Sequence, residues 1–161
     1  MPAPKPRTRT GSRVAAVQAL FQSEQGPTSP ETVIDEFIRF RLGKQDDDSF
    51  EDGRIPDVDV KLFTRIVRAA TEQQDRIDPL IVDALSEDWP IHRLDPVLRA
   101  LMRAGAAELC MAEGAPAKVV INEYLDVAHG FFEGDEPRMA NGVLDRLAHV
   151  LRPAEFPPAV V

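Results

Sequence analysis

The chain has 161 residues, 27 acidic against 19 basic, for a formal net charge of −8. That length suits one domain, and a fold of this size buries roughly 70% of the surface of its unfolded chain, so a core forms without staples. A single cysteine, Cys110, excludes an internal disulfide, and the three histidines, His92, His129 and His149, lack metal-ligand spacing. No stretch reads as a secretory signal or as an apolar membrane span of about 18 residues, which leaves no membrane role and a reducing cytoplasm as the expected location.

Charge is unevenly placed. Residues 1–13 hold Lys5, Arg7, Arg9 and Arg13 and no acid, so the whole acidic excess lies beyond them. A basic arm on an acidic body points to directed contact with a polyanion, and a solvated tail is the plainer alternative.

Helix signals then follow in order. Ser12 is the expected N-cap of a first helix reaching about Gln25, with Val14, Val17, Leu20 and Phe21 as its apolar stripe. Gly26-Pro27 ends it. Ser29-Pro30 caps and starts a second helix carrying Val33, Ile34, Phe37 and Ile38, which Gly43 stops. Residues 43–57, with five acids between Asp46 and Asp52, read as a solvated loop whose acid order does not fit an EF-hand.

Periodicity resumes at Val60, Phe63, Ile66, Val67 and Ala70, and Pro79 is expected to open a short helix with Leu80, Ile81, Ala84 and Leu85. Asp95-Pro96 starts a longer helix bearing Val97, Leu98, Leu101, Met102 and Leu109. In it, Gly105 among Ala104, Ala106 and Ala107 allows close helix approach. Pro116 opens the next, with Val119, Val120, Ile121, Tyr124, Leu125 and Ala128. A last helix from about Pro137 carries Met139, Val143, Leu144, Leu147, Val150 and Leu151 before Pro153, Pro157 and Pro158 stop it. The expected fold is all-α, a compact bundle of about seven helices. Its expected organisation is a basic, flexible arm at 1–11, a helical domain at 12–153 and a short tail at 154–161.

Catalytic patterns are missing: there is no Gly-rich phosphate loop and no nucleophile elbow. Glu123 and Asp126 share a helix face, but on an acidic chain such a pair reads as solvated. Cys110, Met102, Met111 and Met139 read as apolar packing. The expectation is a binding protein with no catalytic residue, metal or cofactor. Arg7, Arg9 and Arg13 lead into a helix bearing Gln18 and Phe21. Guanidinium groups pair with phosphate, and an exposed ring stacks on an unpaired base, although the spacing of Phe21 fits core equally well.

Together these segments carry a resemblance. RTRTGSRVAAVQALFQ, then LRALMRAGAAEL, PAKVVINEYLDVAHGF and MANGVLDRLA, in that order from about Arg7 to Pro153, are similar to the NusB family of bacterial transcription antitermination proteins. The resemblance implies two packed helical subdomains and a partner, the ribosomal protein NusE. It also implies binding of a single-stranded RNA element, boxA, in ribosomal RNA transcripts, as part of an antitermination complex with RNA polymerase. Some family members form homodimers.

Carried over residue by residue, the resemblance puts Lys5, Arg7, Arg9 and Arg13 in an RNA-binding arm and Phe21 at an aromatic position used for partner and RNA. Lys118 falls in the P-x-K-V-x-I-N-E segment, and Arg138 and Met139 fall at a basic-aromatic pair before NGVLD. There the chain departs, since methionine stands where the family commonly has phenylalanine; the acidic loop at 46–52 is a second departure. Gln18 and Asn141 are expected to hydrogen-bond RNA, and Asn141 fits a helix cap as well. Two further readings stay open. One is a helical protein–protein adaptor without specific RNA binding. The other is a NusB-like module related to ribosomal RNA methyltransferases, which the lack of a cofactor-binding segment makes the less expected.

Overall fold

The computed structural model describes residues 8–42, 58–111 and 113–158. Among them are seven α-helices: α1 (Thr8–Gln25), α2 (Pro30–Glu36), α3 (Val60–Glu72), α4 (Gln74–Ala84), α5 (Pro96–Leu109), α6 (Ala117–Phe131) and α7 (Glu136–Leu151). No strand occurs among the described residues. A π-helical turn, Phe37–Arg41, continues α2, and single 3-10 turns stand at Ile91–Arg93 and Pro153–Glu155. Lys5, Arg7 and the acidic loop at 43–57 lie outside the described residues.

Side-chain caps set several of the starts. Ser29 Oγ accepts from Thr32 N at 3.3 Å, and Pro30 follows at the first helical position, where its missing N–H costs nothing. Asp59 Oδ1 accepts from Leu62 N at 3.1 Å to begin α3. At α5, Asp95 Oδ1 accepts from Val97 N at 2.8 Å and from Leu98 N at 3.4 Å.

α5 is the centre of the bundle. It packs against α1 and α3, which with α2 form one group, and against α4, α6 and α7, which form the other. From Leu98 to Leu109 every residue of α5 except Arg103 is buried. Gly105 permits the approach of α6 and α7: a Cβ there would lie 2.7 Å from Leu144 Cδ2 and 3.5 Å from Tyr124 Cδ2. Carbonyls at the end of α5 and in the turn that follows it also accept from a side chain outside the helix. Arg152 donates to Leu109 O at 2.8 Å, Glu108 O at 3.0 Å, Met111 O at 3.2 Å and Ala115 O at 2.9 Å.

Several expectations need correction. α1 begins at Thr8, so Ser12 is no cap and residues 8–11 belong to the helix rather than to a flexible arm. Ser12 is buried, and its hydroxyl donates to Asp59 O at 2.8 Å, joining α1 to the start of α3. Pro79 lies inside α4 instead of opening it. Ile77 and Ile81, one turn apart and both fully buried, hold that helix through the proline, so packing overrides local propensity. Val119 and Val150 are exposed at 44% and 62%, off the stripes to which their spacing assigned them. The tail starts folded: Glu155 Oε1 accepts from Ala117 N at 2.9 Å, and the rings of His149 and Phe156 stack at 4.0 Å. That bond to Ala117 N, with help from Arg152, lowers the Glu155 carboxyl below its ordinary pKa.

Candidate nucleic-acid and partner interface

Where α1, α5 and α6 meet, the core holds a charged group. Arg13 Nε donates to Glu108 Oε1 at 2.6 Å and Arg13 Nη2 to Glu108 Oε2 at 3.0 Å, a bidentate pair whose two side chains are each only 2% exposed. Tyr124 Oη donates to Glu108 Oε1 at 2.8 Å. Glu123 stands 3.6 Å from Arg13 Nη1 and accepts from Thr10 Oγ1 at 2.8 Å. Burial works against the charge on Arg13, but the Glu108 hydrogen bond and charge outweigh it and raise the guanidinium pKa. Burial first, and then the neighbouring Glu108 carboxylate, push the Tyr124 phenol well above its ordinary range.

Arg13 is therefore not part of an RNA-binding arm. Its position three, four and seven residues before Ala16, Val17 and Leu20 puts it on the core face of a helix that starts at Thr8. Arg9, in contrast, is exposed at the start of α1.

Two surface grooves collect other expected residues. Gln18 and Phe21 line a groove of about 520 Å³ with Val17, Phe37, Arg41 and Phe131. Phe21 is partly buried against the core and also forms part of this wall. Arg41 sits 5.3 Å from the Phe37 ring centroid, a cation–π contact that keeps a positive charge at the groove edge. Arg138 and Met139 line a second groove, of about 430 Å³, between α7 and the turn that follows α4. No lining residue is common to the two grooves. Lys118 and Asn141 are exposed and line neither groove; the side chain of Asn141 caps no helix.

Arg41, Trp89 and Arg146 were not singled out by sequence, yet each lines one of these grooves. Trp89 had a signal: it is the single tryptophan and stands between Asp88 and Pro90, in a polar turn where a core residue is unexpected. Cys110 is half-buried, and burial raises its thiol pKa against the opposing pull of Arg76 and Arg152, which is not the setting of a nucleophile. No cluster of three or more His, Cys, Asp or Glu able to hold a metal ion occurs among the described residues, and no described helix is long and apolar enough to cross a membrane.

Comparison with known proteins agrees with this architecture. The family model described as "NusB family" matches residues 10–149. The chain is 67% identical over 151 residues to the transcription antitermination protein NusB of Granulibacter bethesdensis, covering 93% of each chain. Its fold is similar to T. maritima NusB, with a TM-score of 0.74 at 27% identity over 97% of this chain and 99% of that one. It is also similar in fold to a chain of a crystal structure of the antitermination factors NusB and NusE in complex with double-stranded RNA, with a TM-score of 0.70 at 22% identity over 90% of this chain and 98% of that one. With seven α-helices among its described residues and a match along nearly its whole length, the chain belongs to the NusB family.

Proposed function

We propose that the chain is a transcription antitermination factor that binds boxA-type single-stranded RNA in ribosomal RNA transcripts together with the ribosomal protein NusE. In this reading it works without catalysis, inside the antitermination complex of RNA polymerase, in the cytoplasm. The observation that carries the proposal is the near full-length 67% identity to a protein bearing that name. The NusB–NusE–RNA complex among its structural relatives supports RNA and NusE as the partner classes. Arg9, Lys118 and Arg138 are exposed cations suited to phosphate, and Gln18, Phe21, Met139 and Asn141 supply hydrogen bonds and apolar contact. Lys5 and Arg7 belong to the same proposed set. The acidic excess elsewhere suppresses nonspecific RNA binding and favours a basic protein partner.

The test is binding of a boxA-like single strand, a scrambled strand and a duplex, with and without NusE, across a salt series. Tighter, sequence-dependent binding in the presence of NusE is expected, with a log–log salt slope of about −3 if four phosphates are contacted. Equal and weak binding to all three RNAs, unimproved by NusE, overturns the proposal and favours a protein adaptor. The same samples, weighed at rising concentration, show whether the chain forms a homodimer.

A further inference from the structure

The groove beside α7 combines an exposed ring, a cation and open space. Trp89 is 51% exposed, and its backbone N donates to Ser86 O at 2.9 Å, which fixes the turn presenting it. Arg146 donates to Ala84 O, tying α7 to the end of α4 so that the two walls keep their spacing. A Cβ at Gly142 would meet nothing within 4 Å, so that part of the groove is empty. At about 430 Å³ the groove falls within the range of ligand-sized clefts, about 300–1,000 Å³. Arg138 makes no ion pair or hydrogen bond among the described residues, which leaves its charge available to an anion. Asp135, on the same lining, offers an acceptor for an exocyclic amino group.

From this juxtaposition we infer that Trp89 is a stacking platform for one unpaired base of the bound RNA. Arg138 takes a neighbouring phosphate, and the Met139 thioether lies against the base edge. A ring, a free guanidinium and an apolar floor within one groove are the parts that single-stranded nucleic acid uses, and stacking on an indole needs no particular base. The inference rests on the RNA-binding reading and assigns it a contact.

Because Trp89 is the single tryptophan, its emission reports on this groove alone. Titrating the full chain with NusE and a boxA-like single strand is expected to quench the indole, whereas NusE alone is not. By anisotropy of the labelled strand, W89A is expected to bind about tenfold more weakly, and W89F, which keeps a ring, within about threefold of the parent. Circular dichroism of each variant checks that it remains folded. If the parent binds RNA but its indole is unquenched and W89A binds equally well, the stacking assignment falls and the RNA-binding reading stands. If no RNA binds the parent, both fall. A change in emission on adding NusE alone, with no further change on adding RNA, overturns the assignment and makes the groove a protein contact.

Discussion

The Arg13 guanidinium and the Glu108 carboxylate meet edge to edge inside the bundle, with the Tyr124 hydroxyl on the same carboxylate. Replacing Glu108 with alanine leaves the Tyr124 phenol without its acceptor and the buried guanidinium with only the more distant Glu123, 3.6 Å away, and the expected loss is about 3–5 kcal/mol of unfolding free energy. Urea denaturation measures it. The triple variant R13M/E108L/Y124F removes all three polar partners and is expected to recover most of that loss. A single variant that loses less than about 1 kcal/mol would show that water or Glu123 replaces the Glu108 carboxylate.

Tyr124 is the single tyrosine, so phenolate absorbance reads this buried group directly. An unfolded chain releases the phenolic proton near pH 10, and the folded chain holds it to a higher pH. Between those values the unfolded state binds fewer protons, so stability falls as pH rises. The contribution is fully present below about pH 10 and is lost as pH rises toward the native value. Phenolate is expected to appear together with cooperative alkaline unfolding. A reversible titration near pH 10 in a chain that keeps its circular dichroism would contradict the burial.

Gly105 and Gly142 are both interior to helices, and alanine is expected to act on them with opposite sign. At Gly105 the new methyl group meets the fully buried Leu144 side chain, and overpacking costs about 1–3 kcal/mol, more than the helix-propensity gain of up to about 1 kcal/mol is expected to offset. At Gly142 it meets nothing, and a gain of about 0.5–1 kcal/mol is expected. Thermal melts of the two variants decide the matter, and a shift in the same direction for both would refute the packing described around α5.

Charge removal separates phosphate contacts from structural ones. R9A and R138A are each expected to reduce the steepness of the log–log salt dependence of RNA binding by about 0.7. Both should melt with the parent protein. R13A, by contrast, should lower the melting temperature. An unchanged salt slope in R9A would remove Arg9 from the interface.

Most of the helices were legible because their signals are local. Asp95 and Ser29 cap where their chemistry says they should, and the stripes of α3, α5 and α7 mark their buried faces. What sequence could not show was set by partners distant in the chain. Sequence alone starts α1 too late because Ser12, a residue type that normally caps, holds Asp59 O instead. Arg13 falls with Lys5, Arg7 and Arg9 in an acid-free basic stretch and so reads as part of the arm, and only the approach of Glu108 from α5 makes its burial tolerable. Pro79 reads as a helix start because proline is common there, whereas the buried isoleucines on either side keep α4 continuous. Grooves suffer the same limitation: Arg138 and Met139 were found from a sequence motif, but Trp89 joins them only once α4 and α7 are packed.

Glu108 also links events far apart in the order of synthesis. Its carboxylate holds a residue translated 95 positions earlier, and its backbone oxygen is claimed by Arg152, translated 44 positions later. On the ribosome, the far end of α5 therefore emerges before Arg152 exists, and until then it holds only its local bonds, such as that from Met111 N to Glu108 O. A nascent chain with six helices complete still lacks the guanidinium that gathers the Leu109, Glu108 and Met111 carbonyls, which arrives among the last residues of the described fold.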